Sequence, residues 1–194
     1  MEYKWLKTDA KELFVMFHGT GGNMYSLLPI VGEIDSNADV LTFLGNDGVG
    51  QMRRYFPLPT NGKMSTDVLK ERAEQFLEEF RTIDLSQYER ITAIGYSNGA
   101  NFILSILQVD PNFVDEVILL HPSNFNYDFK DEVSQIKMVA TVGTTDYIAP
   151  PGDIVQMHKE MSAQKFPHFD IKMFDGGHGV SEEEIEFLKT HYKN

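Results

Sequence analysis

Gly95-Tyr96-Ser97-Asn98-Gly99 places a serine between two glycines, directly after the apolar run Ile91-Thr92-Ala93-Ile94 and directly before a helical pattern carrying Phe102, Ile103, Ile106 and Leu107. In that context the pentapeptide fits a sharp strand-to-helix turn that holds a serine hydroxyl exposed in a strained conformation. The two glycines avoid clashes with the neighbouring strand and helix, and the helix N-terminus favours negative charge developing beside it. Ser97 is the candidate nucleophile. Outside a strand–turn–helix context the same pattern marks only a tight turn with an idle serine.

A serine hydroxyl is a weak nucleophile and needs a general base oriented by a third group. Where such a turn carries the serine, the acid and then the histidine follow it along the chain. Five histidines follow Ser97. His121 ends a strand too early and precedes any acid loop, His158 lies in a helical pattern, His168 precedes the last strand, and His191 is near the C-terminus. His178, in Asp175-Gly176-Gly177-His178-Gly179, sits in a glycine-rich loop after the last strand, free to reach the serine. Asp146, in Gly143-Thr144-Thr145-Asp146, follows the preceding strand and is the candidate acid. Its rivals are Asp153, which fits better as the opening of a helix, and Asp175, which fits better as a turn residue.

Acyl transfer also needs donors for an oxyanion. His18-Gly19-Thr20-Gly21-Gly22-Asn23 follows the strand Leu13–Phe17, and its glycines let backbone N–H groups converge. The N–H groups of Thr20 and Asn98 are the candidate donors, with His18 holding the loop through hydrogen bonds. No H-E-x-x-H is present and the six histidines are scattered singly, so no metal site is expected. Gly19-Thr20-Gly21-Gly22 lacks the spacing and the lysine of a phosphate cradle, and no cofactor is expected.

These residues need a frame that brings strand ends together. Apolar runs at 13–17, 40–44, 91–94, 117–120, 138–142 and 169–174 each stop at small or polar residues, as strands covered on both faces do. Helical patterns alternate with them: 65–81 behind Ser65 as N-cap, the segment after Ser97, and a last helix opened by the capping box Ser181-Glu182-Glu183-Glu184 with Ile185 and Leu188 inward. Alternating strands and helices predict an α/β fold with a mostly parallel sheet, about six or seven strands in three layers, and ligands beyond the carboxyl ends of the strands. No repeat or composition shift divides the chain, so 1–194 reads as one domain.

Composition narrows the partners. The 194 residues carry a formal net charge of −12, which argues against nucleic acid or an anionic membrane surface. No apolar run approaches the roughly 18 residues of a spanning helix. Cysteine is absent, excluding disulfides, thiolate metal sites and a cysteine nucleophile. The first residues lack the apolar core of a signal peptide, and a cytoplasmic location is the default expectation.

With these motifs assembled, the chain resembles the phospholipase/carboxylesterase branch of the α/β-hydrolases, which includes acyl-protein thioesterases. The resemblance rests on Phe17-His18-Gly19-Thr20-Gly21-Gly22-Asn23, Gly95-Tyr96-Ser97-Asn98-Gly99, Gly143-Thr144-Thr145-Asp146 and Gly177-His178-Gly179, and spans nearly the whole chain with no room for a large lid. Met52-Arg53-Arg54-Tyr55-Phe56 is similar to bacterial carboxylesterases linked to hydroquinone or quinone stress, in which this loop borders the substrate cleft. A homodimer is compatible with the resemblance.

The expected activity is hydrolysis of small to medium carboxylic esters through an acyl-enzyme. The alternatives are an acyl-protein or lysophospholipid-type thioesterase or lipase, and a non-catalytic small-molecule binding protein on the same fold. Met24, Tyr25, Phe56 and Ile148 follow strand ends and are candidate pocket residues, although core packing explains them equally well. Arg53 is a candidate contact for an anionic substrate group. The simpler expectation is that Arg53 and Arg54 pair with some of the 29 acidic residues.

Overall fold

After the short β1 (Tyr3–Leu6), the strand β2 (Glu12–Phe17) sets the layers. Leu13, Val15 and Phe17 turn to one core and Phe14 and Met16 to another, and all five are buried. A strand apolar on both faces requires helices over both. The computed structural model, which describes residues 1–59, 64–129 and 132–192, shows that arrangement.

The remaining strands are β3 (Asp39–Phe43), β4 (Arg90–Tyr96), β5 (Glu116–Leu120), β6 (Lys137–Gly143) and β7 (Phe169–Phe174). They form one seven-stranded sheet in the order β1-β3-β2-β4-β5-β6-β7. Only β1 runs antiparallel to its neighbour. The helices α1 (Leu28–Ile34) and α5 (Glu182–Tyr192) share a core with Phe14, Met16 and Val40. On the other face α2 (Thr66–Phe80), α3 (Asn98–Val109) and α4 (Pro151–Gln164) contribute Phe76, Phe102 and Ile154 to the larger core. The result is the expected three-layer α/β-hydrolase fold.

Local chemistry accounts for the helix boundaries. Ser65 Oγ accepts the Val68 N–H at 3.4 Å at the start of α2, whose buried Leu69, Ala73, Phe76, Leu77 and Phe80 form one stripe. Asp153 lies in the first turn of α4, as a helix-opening residue should. In α5 one expectation fails: Leu188 is buried, but Ile185 is only half-buried. The inward face carries Glu184, Leu188 and Tyr192, four residues apart, because Glu184 finds buried hydrogen-bond partners described below.

The chain leaves β2 for β3 on one side and later enters β4 on the other. That reversal opens a crevice between the carboxyl ends of β2 and β4, where open α/β sheets bind ligands. The loops following β2, β4, β6 and β7 all reach this edge. Among the described residues no helix is long and apolar enough to cross a membrane.

Candidate active site

The turn from β4 into α3 holds Ser97 at φ 50° and ψ −109°, a conformation costing a non-glycine residue on the order of 1–3 kcal/mol. The turn is over-determined. Ser97 N–H donates to Leu120 O at 2.8 Å, and its carbonyl accepts the Asn101 N–H at 2.9 Å. A Cβ on Gly99 would lie 2.0 Å from Phe17 O, and one on Gly95 would lie 2.5 Å from the Gly99 carbonyl carbon. Both positions therefore admit only glycine, because α3 and the ends of β2 and β4 approach closer than any side chain allows.

Tyr55 braces the same corner. Its N–H donates to Asn98 Oδ1 at 2.9 Å, its hydroxyl donates to Phe43 O at 2.9 Å, and its oxygen accepts the His18 N–H at 3.0 Å. Its ring stacks on Phe102 at 4.8 Å. One buried side chain thus ties the ends of β2 and β3 to the helix that begins beside Ser97.

His178 Nε2 lies 2.7 Å from Ser97 Oγ, and its Nδ1 lies 2.7 Å from Asp146 Oδ2. With Asp146 ionised and accepting, Nδ1 carries the proton and Nε2 is free to accept from the serine hydroxyl. The loops meet through the backbone, where Thr144 N–H donates to Phe174 O and Thr145 N–H to Gly176 O, each at 2.9 Å. Tyr96 Oη donates to the His178 carbonyl at 2.7 Å, fixing that loop from the other side.

Asp146 is 3% exposed and its four lone-pair positions are taken. Oδ1 accepts the Ile148 and Ala149 N–H groups, each at 2.9 Å, and Oδ2 accepts from His178 and, at 3.1 Å, from Nδ1 of His121. Burial works against its charge, but donors led by the Ala149 N–H and His178 outweigh burial and hold its pKa below the ordinary value. His121 is the unforeseen member. It is wholly buried, and its Nε2 lies 3.0 Å from Glu184 Oε2. Glu184 also closes the capping box, accepting Ser181 N–H at 3.2 Å while Ser181 Oγ accepts Glu184 N–H at 3.2 Å.

The ligating atoms of His121, Asp146 and His178 lie within 4.8 Å of one another. They are hydrogen-bonded to each other, so an ion there would have to displace the protons that join them. The donor set alone does not call for a metal.

On the β2 side, His18 is buried with Nδ1 2.6 Å from Gly19 O, while Nε2 accepts the Gly45 N–H at 3.0 Å. That pattern requires the neutral ring protonated on Nδ1, and burial, which outweighs the Gly19 contact, lowers its pKa. His18 therefore acts as a strut for the glycine loop. Neither the Thr20 nor the Asn98 N–H donates to a protein group among the described residues. A Cβ on Gly19 would meet the Tyr96 ring at 2.6 Å, so the loop lies directly against the turn that carries Ser97.

A cavity of about 390 Å³ opens between these loops, lined by Thr20, Ser26, Leu27, Ile30, Tyr96 and Val180. None of the five pocket residues expected from the sequence lines it. Met24 and Phe56 are buried in the protein. Tyr25 is exposed and accepts a hydrogen bond from Lys4 on the edge strand, and Ile148 is 54% exposed in the Asp146 loop. Arg53 is half-buried; its Nη1 donates to Gly45 O at 3.0 Å and its carbonyl accepts Gly21 N–H at 2.9 Å, which anchors the glycine loop. Arg54 is buried and its Nε donates to Met52 O at 2.7 Å. Neither arginine pairs with a carboxylate among the described residues, contrary to the simpler expectation, because nearby Asp47 faces Arg72 instead.

The dienelactone hydrolase family matches residues 51–193. The putative hydrolase MhqD of Bacillus subtilis (strain 168) is 26% identical over 203 residues, covering 100% of this chain and 98% of its own. The crystal structure of the Bacillus cereus carboxylesterase superposes with a TM-score of 0.85 at 27% identity, over 100% of this chain and 93% of that one. Arabidopsis thaliana SOBER1 shares the fold with a TM-score of 0.74 at 17% identity, over 95% of this chain and 98% of its own.

Proposed function

The chain belongs to the dienelactone hydrolase family and is a hydrolase of the carboxylesterase type, and from that premise we propose that it is a serine esterase for small to medium carboxylic esters. One observation carries the reading: the unbroken hydrogen-bonded path from Ser97 Oγ through the His178 ring to Asp146.

The reaction follows from that path. Ser97 Oγ attacks the ester carbonyl carbon as its proton passes to His178 Nε2, and the carbonyl electrons move onto oxygen. The Thr20 and Asn98 N–H groups receive that oxyanion; one such donor is worth about 3–4 kcal/mol in the transition state. Asp146 stays ionised and stabilises the imidazolium. The tetrahedral species collapses, and the alcohol leaves with the proton from His178. Water then gives its proton to His178, attacks the acyl-Ser97 carbonyl and releases the acid, and the serine recovers its proton. A short apolar acyl or alcohol group would extend from Ser97 into the cavity walled by Leu27, Ile30 and Val180, which borders Thr20 and Tyr96, the residue before Ser97.

The reading keeps the protein in the cytoplasm, consistent with a cysteine-free chain, and retains homodimerisation through an exposed edge strand or a helix face. A chain-length series of p-nitrophenyl esters beside matching acyl-CoA thioesters tests it. Fastest turnover is expected for acetate to butyrate esters, with none in Ser97→Ala. Preference for long acyl chains, or for the thioesters, contradicts it.

A further inference from the structure

The acyl-transfer steps leave His121 and Glu184 unused, although both are buried at the centre of the site. His121 directly follows β5 and has φ 50°, a left-handed conformation uncommon for a ring side chain. The backbone is held there by its N–H, which donates to Thr141 O at 3.0 Å. Each ring nitrogen faces a carboxylate: Nδ1 lies 3.1 Å from Asp146 Oδ2, and Nε2 lies 3.0 and 3.2 Å from the two Glu184 oxygens. An ionised carboxylate only accepts, so the ring satisfies both neighbours only with both nitrogens protonated. The other titratable groups facing it are the His178 ring, 5.5 Å away between centroids, and the Tyr96 ring at 6.2 Å.

We infer that His121 is a positioning residue, held as an imidazolium between Asp146 and Glu184, which fixes the ionised Asp146 carboxylate against His178. The inference rests on the serine-esterase reading. It gives the site five members in sequence along one path: Glu184, His121, Asp146, His178 and Ser97. Asp146 Oδ2 is the shared atom, held by both rings, while two backbone N–H groups hold Oδ1. The carboxylate therefore has no freedom to rotate away when His178 gains its proton. Glu184 supplies the counter-charge that lets His121 stay cationic without neutralising Asp146. Two anions and one buried cation leave one net negative charge facing His178, as a lone aspartate would.

Electrostatics point the same way. Burial opposes charge on His121, but Glu184 first and then Asp146 outweigh it and raise its pKa. Burial also opposes charge on Glu184, and the hydrogen bond and charge of His121 overcome it to lower that pKa.

Two substitutions, one at each end of the buried pair, test the role. Glu184→Gln removes a negative charge yet keeps an oxygen that can accept the Ser181 N–H of the cap. His121→Asn removes the positive charge with a residue that tolerates the left-handed conformation. Glu184→Gln removes the counter-charge and is expected to strip the proton from one His121 nitrogen, visible by 15N NMR of the histidine-labelled variant. kcat falls in both while KM holds. Wild-type kcat in both variants, or a doubly protonated His121 in Glu184→Gln, overturns the positioning role alone. Absence of turnover in the wild type overturns the esterase reading and the role with it. Should either variant fail to fold, 15N NMR of histidine-labelled wild type decides: both His121 nitrogens are protonated at the pH of turnover, and a neutral tautomer there overturns the inference.

Discussion

His178 and His121 hold the same carboxylate oxygen from two sides, and their surroundings differ in every other respect. His178 is half-buried on a glycine-rich loop, contacts one carboxylate, and presents its free nitrogen to Ser97. His121 is sealed at the end of a central strand, contacts two carboxylates, and has no nitrogen left over. One ring has an acceptor site that must gain and lose a proton for acyl transfer to proceed. The other has both nitrogens committed to buried anions, so its charge is part of the structure. Partner count and burial, more than residue type, separate a ring that cycles from a ring that holds.

That contrast is breakable at each point. The largest effect is expected for His178→Ala, which removes the base: ester turnover falls on the order of 10⁶-fold, with little change in melting temperature because the ring is partly exposed and its loop is held by backbone bonds. Steady-state hydrolysis beside a thermal melt checks both halves. Next comes Asp146→Asn, which withdraws the shared acceptor from both rings. kcat is expected to fall about 10⁴-fold, and unlike His178→Ala this variant also loses stability. An Asp146→Asn protein as stable as the wild type would show that the shared oxygen does not bind the two halves together.

His121→Asn reverses the pattern, with stability hit hardest. Breaking a buried ion pair by removing one partner costs about 3–5 kcal/mol, on the order of 10 °C for a domain of this size. The pH dependence follows from the directions of the shifts. The raised pKa of His121 stabilises the fold fully below the ordinary histidine value of 6.5 and is lost as pH rises through the folded-state value. The lowered pKa values of Asp146 and Glu184 stabilise it above the ordinary carboxylate values of 3.8 and 4.5 and are lost as pH falls. The gap in melting temperature between wild type and variant is therefore widest between those limits and narrows toward alkaline pH. A gap that stays flat across that range contradicts a charged His121. The smallest effect is Tyr96→Phe, which removes the hydrogen bond to the His178 carbonyl. A loss of about 0.5–1.5 kcal/mol is expected in a denaturant titration, with a modest fall in kcat.

The two histidines also mark where sequence reasoning reaches and where it stops. Ser97 stands out because its requirement is local: strand, glycine, serine, glycine and helix adjoin along the chain, and the steric need for Gly95 and Gly99 is written in five residues. Asp146 and His178 follow from a rule of chain order combined with strand ends that are themselves legible as apolar runs. His121 had no such trace. Its partners lie 25 and 63 residues away, and the capping box that Glu184 also completes gives that residue a sufficient local role. Ile185 was expected inward in its place, since an apolar residue ordinarily outcompetes a carboxylate for the core, and only the distant imidazole reverses that preference. The pocket was the least legible part. Met24 and Phe56 are as apolar as any pocket wall, and whether such a side chain faces a cavity or the core depends on loop geometry that residue type does not encode. The short β1 was equally faint, four residues at the sheet edge that pair with β3.

The central claim is that Ser97 is a nucleophile activated by its path to His178 and Asp146. Treatment of the native protein with a fluorophosphonate, followed by intact-mass and peptide mass spectrometry, tests it most directly. A single covalent adduct on the peptide containing Ser97, absent in Ser97→Ala, is the predicted result. An unmodified native protein, or an adduct that persists in Ser97→Ala, would contradict it.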